Sequence, residues 1–345
     1  MLRAVGLRTA YAVAAMTLLS CPWAHGQGGK MQDLGTLGGD WSLARGINDA
    51  GQVVGESTDA QGHHRAFIWT AAAGMKDLGT PAGRDSEADA INDAGQVVGY
   101  YVDAQGHYRA FLWTTAQGMR DLGAPPGRDS MALGVNAAGQ VVGQAGTVGS
   151  MHAFLWTAAE GMKDLGTLPG CVGSLASGIN AAGQVVGTAR DDHNHYRAFL
   201  WTAAAGMKDL GTLGGAESSA WGLNAAGQVA GSAMDAQGRY HAFRWTAADG
   251  MQDLGLPGGR ASSAGGVNDA GQVAGSTHDG QGGHGRAFLW TFVYGGIDAT
   301  DLGTLGGSES LGACALNAAG QVVGGANDAA GHQHAFLWTP TKPAP

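Results

Sequence analysis

One tripeptide sets the limits on this chain. Asp-Leu-Gly begins at Asp33, Asp77, Asp121, Asp164, Asp209, Asp253 and Asp301, at spacings of 43 to 48 residues. Two further markers keep step with it. Asn-(Asp/Ala)-Ala-Gly-Gln-Val begins at Asn48, Asn92, Asn136, Asn180, Asn224, Asn268 and Asn317. Ala-Phe-x-Trp-Thr begins at Ala66, Ala110, Ala153, Ala198, Ala242, Ala287 and Ala335. Seven copies in one order make residues 31–339 a single array of one repeated unit, and exclude two unrelated domains.

The unit reads as four short strands. In the first copy these are residues 42–48, 52–57, 65–70 and 75–79. Asn48-Asp49-Ala50-Gly51 is a tight turn, because Asn bonds backbone two residues on and Gly accepts positive φ. Val53 and Val54 are adjacent and apolar, as are Ala66, Phe67, Ile68 and Trp69, so these strands are buried on both faces. Helical repeats are excluded by the 62 Gly in 345 residues, since each costs about 1 kcal/mol against Ala in a helix interior. Gly does not recur every third residue, which excludes collagen. About 44 residues, four antiparallel strands and two buried sheet faces describe a propeller blade. The expected fold is therefore all-β, a seven-bladed β-propeller of four-stranded antiparallel blades. The array opens with a lone fourth strand, residues 31–35, and stops after a third strand, residues 335–339. The opening strand is expected to close the ring by joining the last blade.

Residues 1–26 read as a secretory signal. Arg3 and Arg8 precede an apolar run of ten residues, 10–19, too short to span a bilayer. Ala24-His25-Gly26 places small residues for cleavage before Gln27; the alternative is lipidation at Cys21, after Leu18-Leu19-Ser20. Residues 27–345 then form one propeller, extracellular or periplasmic, with no transmembrane segment. The net charge of -9 argues against nucleic acid as a partner. Cys171 and Cys314 fall in the fourth and seventh units, too far apart to pair. Two free thiols are expected, with Cys314 buried and Cys171 the more exposed.

The unit Gly-Met-x-Asp-Leu-Gly-Thr-Leu-Gly-Gly, then Asn-x-x-Gly-Gln-Val-Val-Gly, then (His/Arg)-Ala-Phe-x-Trp-Thr resembles the HAF repeat, a family of probable extracellular repeat proteins. His-Ala-Phe itself stands at His152, His241 and His334, while Arg65, Arg109, Arg197 and Arg286 replace the His in the other four copies. The resemblance covers essentially the whole mature chain. It implies export and a repeat fold, and carries over no catalytic residue.

Residues identical in every copy are read as scaffold. The seven Trp and the Phe two positions before them are expected in the core between blades. The Asp of Asp-Leu-Gly is expected to bond turn amides at a strand end. Function is sought where the copies differ. The loops entering the first strands carry Asp40 and Trp41, Arg84 and Asp85, Arg128 and Asp129, Glu217, Arg260 and Glu309. In a propeller these loops ring one mouth of the axial channel, and their mix suits a polar, sugar-like or peptide ligand; the alternative is a solvated charged rim. Arg45, Asp89 and Trp221 on the first strands are placed near the channel. Asp191-Asp192-His193-Asn194-His195 is rich in metal-ligand types but occupies a hairpin, and is read as a solvated turn. No nucleophile elbow, P-loop or His-Glu-x-x-His occurs, so neither a cofactor nor a metal is expected.

These residues suggest a non-catalytic exported binding module, monomeric, taking a glycan or peptide at the channel mouth. An exported hydrolase or lyase acting on polysaccharide or peptide is the alternative. It would need paired carboxylates, drawn from Asp85, Asp129, Glu217 and Glu309. A structural role in the cell envelope is the third reading.

Overall fold

The Asn turns nucleate the unit as their chemistry demands. Gly51 takes φ 74°, a left-handed conformation closed to most side chains, and the Asn48 carboxamide oxygen accepts the Gln52 N–H at 2.9 Å. The turn joins a first strand, Gly38–Ile47, to a second, Val53–Asp59; His64–Thr70 and Gly74–Asp77 follow. They pair in sequence order as one antiparallel sheet, and six further sheets have the same four strands. In this computed structural model the described residues are 28–81, 84–124, 127–147, 149–279, 285–294 and 296–341; the expected signal, residues 1–26, lies outside them. Among the described residues there is no helix, and so none long and apolar enough to cross a membrane.

The seven sheets form the expected seven-bladed β-propeller. Blade one is residues 38–77, and blades two to six follow as 86–121, 129–164, 171–209, 214–253 and 261–301. Blade seven takes three strands from residues 306–340, and its fourth is Gly29–Asp33 from the start of the array. Met31 pairs with Trp338 and Asp33 with Phe336, so the ring closes through the N-terminal strand.

Each blade buries both faces against its neighbours. Val53, Val54, Ala66 and Phe67 have no accessible surface. Phe67 and Trp69 of blade one share a core with Val323, Ala335 and Leu337 of blade seven, as expected for residues between blades. Six of the seven repeat Trp are buried, and Trp113 is half-buried.

Two polar rings tie the blades together. The Asn48 amide donates to the Asn92 carbonyl at 3.1 Å, and the bond repeats around the circle until Asn317 donates to Asn48. The second ring uses a Ser of each first strand. The Ser86 hydroxyl accepts the Ala66 N–H of the preceding blade at 2.9 Å, and Ser42 accepts that of Ala335 across the closure. The Asp of Asp-Leu-Gly bonds a turn amide, Gly35 N–H to Asp33 at 2.7 Å, and its other oxygen holds His334 of the His-Ala-Phe tripeptide at 2.8 Å.

Candidate functional site

The first strand of every blade runs along the axis, and all seven line one axial cavity of about 680 Å³. Its two ends differ. At one end stands the Asn ring, with an apolar ring beside it that includes Ile47, Ile91, Ile179 and Leu223. The strand of ten residues then leads, over about 30 Å, to the loops whose sequences vary between blades.

A bulge repeats on every first strand. In blade one it lies between Ala44 and Gly46, so that Arg45 has no partner in the second strand. The equivalent residues are Asp89, Leu133, Ser177, Trp221, Gly265 and Cys314. All seven line the cavity. A bulge turns its extra residue out of the ladder, and here it presents a different residue per blade to the axis, Gly265 leaving a gap among six side chains. The Gly of Val-Val-Gly makes room for it: a Cβ on Gly55 would collide with the Leu43 carbonyl and lie 2.9 Å from the Ala44 Cα. Arg45, Asp89 and Trp221 are thus near the channel, as the sequence suggested. Cys314 is half-buried on the cavity wall rather than buried in the core, because it too is a bulge residue.

Arg45 is the centre of a charged cluster between blades one and two. Its guanidinium donates to Glu56 at 3.0 Å, and its Nε lies 2.5 Å from Glu87 and 3.9 Å from Asp89. Tyr100 donates its hydroxyl to Glu87, and His64 Nδ1 is 3.1 Å from Glu56. One guanidinium cannot balance three carboxylates out of water. Burial, then the charge of Glu87, pushes Asp89 well above the usual carboxylate range, against the pull of Arg45. Burial also raises Glu87, which Arg45 opposes. Asp89 is thus the member of the cluster pushed hardest towards its neutral form, with only 9% of its side chain exposed.

The residues expected at the mouth occupy the loops and strand starts at the variable end, and none lines the axial cavity. Trp41 stacks at a tilt on His64, 5.2 Å between ring centres, which connects it to Glu56 and the cluster. Asp85 accepts the His64 N–H at 3.1 Å. Asp129 accepts the Tyr108 N–H at 3.2 Å and lies 3.1 Å from His107 Nδ1. Both aspartates thus tie a loop to the preceding blade. Glu217 accepts the Tyr240 hydroxyl within blade five. Arg84 and Arg128 are exposed and use their carbonyls to accept from Arg65 and Arg109. Asp40 and Arg260 are exposed, and Glu309 is half-buried. Trp41 and Asp85 meet at His64, while Asp129 makes the equivalent contact one blade on, with His107 and Tyr108.

Glu56, Glu87, Tyr100 and His64 were missed by motif reasoning. The signal was present: Glu56 and Tyr100 follow Val-Val-Gly at a position held by Gln144, Thr188, Ser232, Ser276 and Gly325 elsewhere. Asp191 remains a turn residue, accepting the His193 and His195 amides at 2.8 Å each.

No known family profile and no curated protein matches the chain. Among solved structures it is similar to a puromycin hydrolase (TM-score 0.57, 14% identity, 90% of this chain and 55% of that one). It is also similar to virginiamycin B lyase from Staphylococcus aureus (TM-score 0.56, 13% identity, 90% of this chain and 99% of that one). A third is TolB from Acinetobacter baumannii (TM-score 0.51, 13% identity, 77% of this chain and 65% of that one). The chain thus spans about two thirds of TolB, about half of the hydrolase and nearly all of the lyase. At such identities these likenesses concern the propeller fold alone.

Proposed function

We propose that this chain is an exported propeller of the HAF repeat type that acts as a non-catalytic binding module, taking a glycan or peptide at the variable mouth of its axial channel. One observation carries the reading. The same fold that repeats Asn and Ser identically seven times presents seven different positions to the axis at its bulges, from Arg45 to Cys314. Uniform residues serve the ring; a differentiated lining serves something that lies in it. The test is binding of the mature chain, residues 27–345, to glycan and peptide arrays. Arg45→Ala and Trp41→Ala are expected to weaken a hit at least about ten-fold, the scale of a lost charged hydrogen bond or aromatic contact. Hits indifferent to both variants would move the ligand off the axis, and a folded chain without hits would reject the module. Export is tested by cell fractionation, with Cys21→Ala separating a lipid anchor from simple cleavage.

A hydrolase or lyase is the second reading, and one observation favours it. Asp89 on the cavity wall and Glu87 behind it share the Arg45 guanidinium, at 3.9 and 2.5 Å from its Nε, and burial raises both carboxyls, an arrangement in which one group gives a proton and its partner takes it. Similarity to propeller-containing proteins named as a hydrolase and a lyase is consistent with this reading. Turnover of an array ligand that Asp89→Asn abolishes would favour the enzyme over the module.

A further inference from the structure

We propose that a cleft between blades three, four and five is a second binding site, one that takes a pyranose ring of a saccharide. The cleft has a volume of about 500 Å³ and meets the axial cavity only at Trp221, which lines both. It exists because blade three departs from the repeat. In the first copy four residues, Asp59-Ala60-Gln61-Gly62, turn between the second and third strands, and the hairpins of blades two, four, five and seven are as long. In blade three Thr147 pairs directly with Ser150, and the rim is short. Behind that rim, the positions filled by Glu56 and Tyr100 in blades one and two hold the uncharged Gln144 and the small Thr188. The gap that ion pairs close between blades one and two stays open here.

The lining has two characters. Trp221 and Tyr196 keep 42% and 40% of their surface exposed, and Leu175 and Met151 complete the apolar wall. Gln144, Ser219, Thr188 and Arg190 supply the polar groups. Arg190 is held in place, donating to Asn194 at 2.9 Å and to the Gly149 carbonyl of the short rim at 3.0 Å. Thr188 is 7% exposed, yet its hydroxyl has no hydrogen-bond partner among the described residues. A buried hydroxyl left unpaired in a native structure marks a place where a partner is missing.

A pyranose ring matches both characters. Its C–H face stacks on an aromatic face, while its hydroxyls give and accept hydrogen bonds at the rim. Among the described residues no carboxylate lines the cleft, so a cationic side chain would find no counter-charge from them. The polar groups converge from three strands of three neighbouring blades, as in a specific small-molecule site.

The test is calorimetry of the mature chain with cello-, chito- and galacturono-oligosaccharides, compared with Thr188→Val and Ser219→Phe. We expect at least one saccharide to bind, Ser219→Phe to abolish binding by filling the cleft, and Thr188→Val to weaken it about three- to ten-fold. The isosteric Thr188→Val keeps the test decisive should Ser219→Phe fail to fold. Asp89→Asn reads the axial channel. A saccharide lost by that variant and kept by both cleft variants would lie on the axis, overturning the cleft while upholding the axial reading. A folded chain that binds none of the saccharides, or that binds an array peptide in the cleft instead, would overturn the proposal.

Discussion

Asp89 stands in the fold at a cost that depends on pH. Its carboxyl is raised above its ordinary 3.8 by burial and by Glu87, so the folded chain holds that proton more tightly than the unfolded one. A group of that kind supports folding fully below its unfolded pKa and loses the contribution as pH rises towards its folded value. Asp89→Asn is isosteric with the neutral acid and cannot ionise in the unfolded chain. We expect it to match the parent near pH 4 and to be measurably more stable, with a higher melting temperature, at pH 8. The hairpin aspartates run the other way. Burial alone would raise Asp103, yet the Arg109 side chain and the His107 and Gln105 amides hold it down at about 2. Its contribution is present above 3.8 and is lost as pH falls towards 2. Melting temperature should therefore rise from pH 2 to 4, then fall towards neutrality, and Asp89→Asn should flatten only the upper limb. A parallel shift of the whole curve would show that Asp89 is ionised in the folded protein.

At the scale of the element, the Asn turn does two jobs at once. The Asn180 amide donates to Gln184 at 2.8 Å and to the Asn224 carbonyl of the next blade at 3.1 Å, while its oxygen accepts the Ala182 and Gln184 amides. Asn180→Ala strands those groups out of water and should cost about 2–4 kcal/mol; loss of less than 1 kcal/mol, read by denaturant titration, would mean water replaces the ring bond. The turn itself was legible in Asn-Ala-Ala-Gly, because turn chemistry is local. The bond to the next blade was not, since a partner 44 residues away leaves no mark at the position itself. The same holds for Ser86, whose role depends on where Ala66 is brought. Repeat count, strand order and core Trp were legible because each rests on period and polarity. The cluster was legible only in part: Arg45 and Asp89 stood out as variable first-strand residues, whereas Glu87 acquires its partners from the bulge and from blade packing. Asp85 and Asp129 were read as mouth residues from their variable loops, but a loop carboxylate near an unpaired amide bonds it, and these two tie blades together.

The whole molecule is a closed circle, and its closure makes two predictions. Cys171 belongs to blade four and Cys314 to blade seven, and both are free thiols. The unreduced, unfolded mature chain should titrate two thiols; zero would contradict the blade assignment. Burial raises both thiols, so each should react slowly in the native state at neutral pH. The second prediction concerns the strand that closes the ring. Met31 lies against Trp338, Leu34 is 6% exposed in the core shared by blades seven and one, and Asp33 holds His334. The Gly35 carbonyl also accepts the Ser42 hydroxyl at 2.7 Å, linking this strand to the Ser ring. Deleting residues 27–36 removes the Leu34 burial and the whole outer ladder of blade seven, a loss of at least about 3 kcal/mol. In a linear solenoid such a loss would fray one terminal repeat and leave the rest standing. Here blade seven packs against blade one, and Asn317 completes the Asn circle onto Asn48, so the loss reaches both sides of the closure. We expect one cooperative transition at a melting temperature lower by at least about 4 °C, and self-association on size-exclusion chromatography through the freed edge of the Gln333–Pro340 strand. A truncated chain that melts at the parent temperature and stays monomeric would mean that the ring is held by the Asn and Ser circles alone, with the N-terminal strand no more than a cover.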